Sequence, residues 1–448
     1  MDVPPVSVTA DLVRRARLVA FDDLPADVVL VAKTCVLDWL GCALAGSREP
    51  LTEILAAEAA THGPASLIGR DATTSVHWAA LVNGAASHAL DYDDTHLVFM
   101  GHPTAPVLPA LLALAEREGS SGRALIASFV SGVETECRLA AAIGIGHYLA
   151  GWHSTATLGT FGSAAACAHL LDLPEDAWAH AFGVAGVQAA GLKSVFGSMS
   201  KPFQAGKASA NGLLAATLAG RGFTSATDIV ETHQGFAATH AGKIDAEALE
   251  ETSDHYLVRD TVFKYHASCY LTHSAIEAVL SLRDRHKFDA ADVVRAEVVV
   301  PRGHLDVCNI TEPQTGLEGK FSLRATAAMA MRGEDTADPA SFTDERMLAR
   351  GSVDARDKVT VRASEEVAGT QTRVEVGLAD GRTLTDTFDV GIPADDLERQ
   401  WTKLTQKFVR LSSPVLGEER AWQLHDRVAS LEQLPDASEL PASCRVAT

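Results

Sequence analysis

Between residues 8 and about 260, apolar side chains recur at intervals of three and four, the period of a helix with one buried face. The segments "LPADVVLVAKTCVLDWLGCALAG" (24–46), "PVLPALLALAEREG" (106–119) and "GRALIASFVSGVETECRLAAAIG" (122–144) follow this period, and Gly46 closes the first. "GTFGSAAACAHLLDL" (159–173) and "EDAWAHAFGVAGVQAAGL" (175–192) read the same way. Runs such as Ala164, Ala165 and Ala166 predict helices in close contact, because small side chains let neighbouring backbones approach. Near residue 290 the period becomes two: "VVRAEVVVP" (293–301), "DKVTVRA" (357–363) and "TRVEVGLADGRTLTDTF" (372–388) alternate, the last with "ADG" as a hairpin turn. Helical segments intervene at 270–284 and about 319–332, and helix returns after Pro393 and again over 418–434. No fixed repeat is present. The pattern predicts a mainly α fold, with a large helical bundle domain from residues 1–265 and 395–448 and a smaller α+β domain, 266–394, inserted. The tail "PDASELPASCRVAT" is expected to be poorly ordered.

At 448 residues the chain is long enough for two cooperating domains and a sizeable core. A net charge of −20 argues against a nucleic-acid partner, since no basic stripe replaces phosphate counterions. It leaves a small anionic substrate open, because a few local cations can dominate one pocket. The seven cysteines are scattered singly, without a CxxC pair, which fits neither a disulfide framework nor a cysteine-rich zinc site. That usage suits a reducing, cytoplasmic setting. "MDVPPVSVTADLVRRARLVAFDDLP" has no apolar leader core, and no run of about 18 uncharged apolar residues predicts a membrane span.

Chemistry-bearing residues concentrate in five places. "HALDYDDTHLVFMGHP" (88–103) places Asp91, Thr95 and His102 where a helix end and a turn can aim them at one point. Asp91 and Thr95, four apart, are expected on one helix face, with a tight turn at Gly101–Pro103. Asp93 and Asp94 read as solvated turn residues and His96 as a surface histidine. No histidine pair has the spacing of a zinc motif, so no metal is assigned. In "GWHSTATLGTFGSAAA" His153 opens a helix of small residues, where free N–H groups favour an anion. In "SKPFQAGKASANG" Lys201 lies at a helix start, which makes electrostatic sense if an anion sits between the two. "VFKYHASCYLTHSAIEAV" (262–279) supplies Lys264, Cys269 and His273, the last two expected on a shared helix face as a candidate nucleophile and base. "TGLEGKFSLRATAAMAM" (315–331) adds Lys320 and Arg324. There is no nucleotide-binding glycine loop after a strand and no GxSxG elbow. The inventory suits a substrate with several carboxylates and proton transfer beside one of them. Cations and N–H groups would stabilise the enediolate.

"HALDYDDTH…GHPTAPVLPALLALAE", "GWHSTATLGTFGSAAA", "SKPFQAGKASANGLLAA", "FKYHASCYLTHSAIEA" and "GLEGKFSLRATAA" occur in the order found in the MmgE/PrpD family, which this chain resembles over about residues 8 to 425. Activities in that family include 2-methylcitrate dehydration, cis-aconitate decarboxylation and iminodisuccinate epimerisation. "GHYLAGWHSTATLGTFGS" and "MGHPTAPVLPA" are most similar to the epimerase branch. The resemblance implies a homodimer with a lid-like second domain, an interdomain active site, and no metal or organic cofactor. It also implies a small polycarboxylate as substrate. Carried over residue by residue, it implies a pocket of Asp91, Thr95, His102, His153, Lys201 and Lys264. Cys269 stands where the decarboxylase has a histidine, and Ala325 where it has a tyrosine, which weakens a decarboxylase assignment. The expected reaction starts by removing a proton alpha to a carboxylate. His102 or Asp91 is the base, His153 the acid, and Lys201 and Lys264 hold carboxylates. Cys269 joins the catalytic candidates, and His273, Lys320 and Arg324 are candidate substrate contacts. Loss of water is the leading outcome, with epimerisation next.

Overall fold

The computed structural model describes residues 7–240, 244–245, 247–251 and 255–446. The first six and last two residues, on which the expectations for a leader and a tail partly fall, lie outside these. The helices that build the site are α1 (Ala26–Gly46), α2 (Val76–His88), α3 (Thr104–Glu118), α4 (Gly122–Ile143), α5 (Ser154–Leu170) and α6 (Ser200–Ala219). The inserted unit holds α7 (His273–His286) and α8 (Leu323–Arg332), and α9 (Leu397–Leu416) returns to the bundle. The mainly α architecture with a smaller α+β unit is the one read from the periodicity.

Small residues set the helix spacing. A Cβ on Gly206 of α6 would lie 2.1 Å from the Leu81 carbonyl oxygen of α2, and one on Gly84 would lie 2.8 Å from Gly206 Cα. Likewise, a Cβ on Gly212 would meet Ser163 of α5 at 2.4 Å. At these crossings backbone packs on backbone, which leaves no room for even one methyl group. Helix α1, with 21 residues, is long and apolar enough by length and composition to cross a bilayer, although Asp27, Lys33 and Asp38 interrupt it, and 78% of its most apolar window is buried inside the molecule. There it packs on α9, with Gly41 beneath Phe408.

One hydrophobic cluster joins Leu12, Trp39, Phe129, Phe161 and Trp178 to Phe408 and Leu424, so the C-terminal helices complete the core begun by the N-terminal ones. A second joins Ile276, Leu323, Val298, Val374 and Val376. It lies on a four-stranded sheet of β3 (Val293–Val300), β4 (Val359–Ala363), β5 (Thr372–Leu378) and β6 (Thr383–Phe388), in the order β4-β3-β5-β6. Strands β3 and β4 are parallel with Val298 opposite Val361, and their crossover carries α8. The other pairs are antiparallel, Val298 opposite Val374 and Val376 opposite Leu384. Gly381, at φ 88°, makes the β5–β6 turn read from "ADG". A third cluster, with Leu90, Tyr92, Ala325, Met329 and Phe342, spans the junction of the two units. The tail departs from expectation. Glu439–Ser443 is helical, and Leu440 and Cys444 are fully buried, because apolar side chains there seal the bundle.

Candidate active site

Helix α2 ends at His88, and the chain leaves it through Asp91, whose φ of 51° is left-handed. Asp91 and Thr95 therefore do not share a helix face. Thr95 lies on a short strand, β1 (Thr95–His96), paired antiparallel with β2 (Thr261–Val262). The tight turn near Gly101 is present: Thr95 Oγ1 donates to the Gly101 carbonyl at 2.9 Å, and His102 N–H donates to Thr155 Oγ1 at 3.0 Å. Asp93, Asp94 and His96 are not solvated; each is at most 1% exposed. Their polar atoms are used inside the fold. Asp94 accepts from the Thr104 amide and hydroxyl, His96 Nε2 meets the Leu257 carbonyl at 2.9 Å, and Asp93 accepts from His88 Nδ1 at 2.9 Å.

Two lysines from distant segments converge on one carboxylate oxygen. Lys201, in the first turn of α6, places Nζ 2.5 Å from Asp91 Oδ1, and Lys264 Nζ lies 3.1 Å from the same atom. The anion called for beside the α6 start is thus the protein's own Asp91. Burial opposes ionisation of Asp91, but the two ammonium groups outweigh it and hold the carboxyl well below the usual range. Asp91 Oδ2 is buried without a hydrogen-bond partner.

His102 sits between two carboxylates, with Nε2 3.7 Å from Asp91 Oδ1 and Nδ1 3.3 Å from Asp93 Oδ2. Burial lowers its pKa to about 4, so the imidazole is neutral near pH 7. Asp93, the nearer carboxylate, favours the tautomer with the proton on Nδ1, although no hydrogen bond joins the two, and Nε2 is left toward Asp91 and the pocket. His153 is the N-terminal flanking residue of α5, buried, with Nδ1 unpartnered and its pKa pushed well down by burial and then by Lys201. His88 packs between these two imidazoles, edge-on to His102 at 4.4 Å and stacked with His153 at 6.1 Å.

Asp91, His102, His153, Lys201 and Lys264 open into a partly enclosed cavity that also touches Thr95, Cys269 and Phe321. Leu97, Met100, Leu271 and Val307 form its apolar wall. Of the residues expected from sequence, Asp91, Thr95, His102, His153, Lys201, Lys264 and Cys269 meet there. Three do not. His273 lies behind the wall with Nε2 toward the Ser268 carbonyl at 3.3 Å. Arg324 is held by the Val359 carbonyl at 2.9 Å and stands beside Asp357. Lys320 is buried and lines a separate pocket with Glu49, Leu90 and Phe342, its Nζ donating to the Leu90 carbonyl at 2.7 Å. Cys269 precedes α7 and so shares no helix face with His273. Its thiol faces Cys308, whose hydrogen bond lowers the Cys269 pKa.

Donor atoms of His88, Asp91, Asp93 and His102 lie within 4.8 Å of one another, a spacing that could hold a metal ion. The donor set does not favour a divalent cation, because two ammonium groups already stand within 3.1 Å of Asp91 Oδ1 and would repel it. The sequence reading missed His88 and Asp93, which orient the site's imidazole. A signal was available: the "DYDD" acids follow "AALVNGAAS" (79–87), a stretch without any charged side chain, as a buried segment would be.

A helical bundle with an inserted α+β unit, with lysines and neutral imidazoles gathered around one buried carboxylate, defines the class of protein. The chain belongs to the MmgE/PrpD family: it matches the MmgE/PrpD N-terminal domain over residues 10–248 and the C-terminal domain over 266–433. It is 29% identical to the cis-aconitate decarboxylase-like protein oryM of Aspergillus oryzae, over 98% of this chain and 97% of the relative. It is 28% identical to cis-aconitate decarboxylase of Aspergillus terreus, over 97% and 95%. With the human cis-aconitate decarboxylase the identity is 26%, over 92% and 89%.

Proposed function

We propose that the protein is an enzyme acting on a small di- or tricarboxylate by removing the proton alpha to a carboxylate, and that it is a lyase. The observation that carries this reading is the meeting of Lys201 and Lys264 on Asp91 Oδ1, beside the Nε2 face of His102. His102 is the better base of the two expected. Asp91 is held too far below the carboxylate range to attract a proton, whereas His102 is neutral at pH 7 and oriented by Asp93. The Nε2 lone pair takes the alpha proton. The C–H electron pair moves into the carboxylate, and the resulting enediolate is stabilised by the Lys201 and Lys264 ammonium groups. His153, expected as the acid, is kept neutral by burial and Lys201 and can only hydrogen-bond the departing hydroxyl, which takes the proton held by the His102 imidazolium and leaves as water. Full-length similarity to cis-aconitate decarboxylases supports a carboxylate substrate. Loss of water ranks first because dehydration is the broadest activity of the family.

Epimerisation is the second reading, favoured by the segments 100–110 and 146–163, which are most similar to the epimerase branch. Incubation with a panel of di- and tricarboxylates in deuterium oxide, followed by mass and chirality analysis, tests both. A lyase yields an unsaturated product and, as proton removal reverses, deuterium at the alpha carbon of recovered substrate; an epimerase yields deuterium with inversion and no mass loss. Absence of alpha-deuterium from every carboxylate ends the proposal.

A further inference from the structure

Three successive backbone carbonyls in the turn after α2 each accept from a different buried lysine. Lys320 Nζ donates to the Leu90 carbonyl at 2.7 Å, Lys264 Nζ to Asp91 at 2.8 Å and Lys407 Nζ to Tyr92 at 2.6 Å. The left-handed Asp91 takes the chain out of helix, so these carbonyls lose the amide partners that α2 would have supplied. Buried carbonyls require donors, and ammonium groups are strong ones. Lys264 lies beside β2 and Lys407 on α9, both within the bundle, whereas Lys320 belongs to the inserted unit. It closes the short helix Gly316–Gly319, and its own carbonyl accepts from the amide of Cys269, a cavity-wall residue, at 2.9 Å. One residue thus ties the inserted unit to both the turn and the cavity wall.

We infer that Lys320 is a positioning residue: its ammonium, docked on the Leu90 carbonyl, holds Asp91 in its left-handed conformation and makes the catalytic geometry depend on the seating of the inserted unit. The proposal rests on the reading of Asp91, Lys201 and Lys264 as the reaction centre. Lys320 does not line the cavity and is 5% exposed. Its surroundings are Asp91 and Glu49 on the acidic side, Lys264 and Lys201 on the basic side, and the Phe342 ring 5.7 Å away. Burial, outweighing the two acids, lowers its pKa to about 8. The ammonium is therefore present at pH 7 and lost as pH rises through 8. Stability moves the opposite way. The unfolded chain keeps this lysine charged to its ordinary value of 10.5, so its contribution to stability increases between about pH 8 and 10.5.

The test is amide hydrogen exchange of the peptide spanning residues 88–96 in the wild type and in Lys320→Met, with kinetics on whichever carboxylate shows alpha-deuterium. Lys320→Met should speed exchange in that peptide at least tenfold at pH 7, with little change elsewhere in α2 or α6. It should lower kcat at least tenfold with KM within threefold. In the wild type, exchange corrected for its intrinsic pH dependence should rise above pH 8 without a fall in melting temperature. That second measurement serves if the variant does not fold. Unchanged exchange in the variant, or a pH-independent wild type, overturns the inference. Faster exchange in a protein that labels no carboxylate leaves the clamp standing and removes the functional reading, so the two failures are distinct.

Discussion

Asp91 sits in the left-handed region at φ 51° with one carboxylate oxygen between two ammonium groups and the other unpartnered, a strained and polarised arrangement that costs about 1–3 kcal/mol in backbone terms alone. Strain of that size persists only where neighbours enforce it. Lys201→Ala removes an ammonium group that the proposed mechanism uses in the transition state. It should lower kcat/KM by about 100-fold or more while far-UV circular dichroism stays unchanged; near-normal turnover would remove Lys201 from the mechanism. Asp93→Asn tests the orientation of His102. An amide can donate to Nδ1, which would shift the imidazole proton to Nε2 and block the base. A fall of about 100-fold in kcat is expected, with KM little changed. For the wild type, kcat/KM should decline as pH falls through about 4, since protonation of His102 removes its lone pair. Asp94 behaves differently: burial raises its pKa to about 8, so it is protonated at neutral pH. The folded state then holds a proton that the unfolded state releases above about 3.8, and stability from this group falls as pH rises from there toward 8. Asp94→Asn should flatten that part of the melting-temperature profile.

At the scale of elements, the site depends on how closely α2 and α6 cross, since α2 leads into Asp91 and α6 carries Lys201 in its first turn. The Gly84–Gly206 contact sets that distance. Gly206→Ala would push a methyl group against the Leu81 carbonyl, at a cost of about 2 kcal/mol, and would shift the α6 start outward. A melting temperature lower by several degrees and a reduced kcat/KM in the fraction still folded are expected; an unchanged melting temperature would mean that the crossing relaxes freely. The helix and strand segments were legible because their periods were long and regular, and the alanine and glycine runs correctly announced close crossings. Helix ends were less so. The reading of residues 159–173 began late because "STATL" before it is polar to the eye yet buried, with Thr157 bonded to His147 at 2.7 Å. Asp91 and Thr95 seemed to share a helix because nothing local marks the left-handed residue: the tertiary contacts of three lysines impose it.

In the molecule as a whole, the site's cations come from segments as far apart as residues 201, 264, 320 and 407, and spacing along the chain cannot say which of them meet. Lys201, at a helix start, and Lys264, beside Cys269 and His273, stand out in the sequence, and the motif resemblance puts them in one pocket. Lys407 gave no signal, being one of two lysines in an amphipathic helix, and only the packing of α9 on α1 reveals it. Its Nζ lies 2.6 Å from Asp38 Oδ1 on α1 and also donates to the Tyr92 and Lys264 carbonyls at 2.6 and 2.9 Å. One ammonium group therefore joins the N-terminal helix, the C-terminal helix and two backbone segments of the site. Lys407→Met leaves Asp38 buried without its cation and should cost about 3–5 kcal/mol, measurable as a lower urea midpoint at constant slope. Asp38→Asn alone should cost less, because the Lys407 ammonium keeps the Tyr92 and Lys264 carbonyls as acceptors. The double variant separates charge pairing from bracing. It removes the uncompensated carboxylate and should recover much of the lost stability, yet Tyr92 and Lys264 would still lack their donor. Activity of the double variant should therefore stay at least tenfold below wild type although the protein is folded. Recovery of both stability and activity would show that Lys407 serves Asp38 alone, and that the site keeps its shape without help from the C-terminal helix.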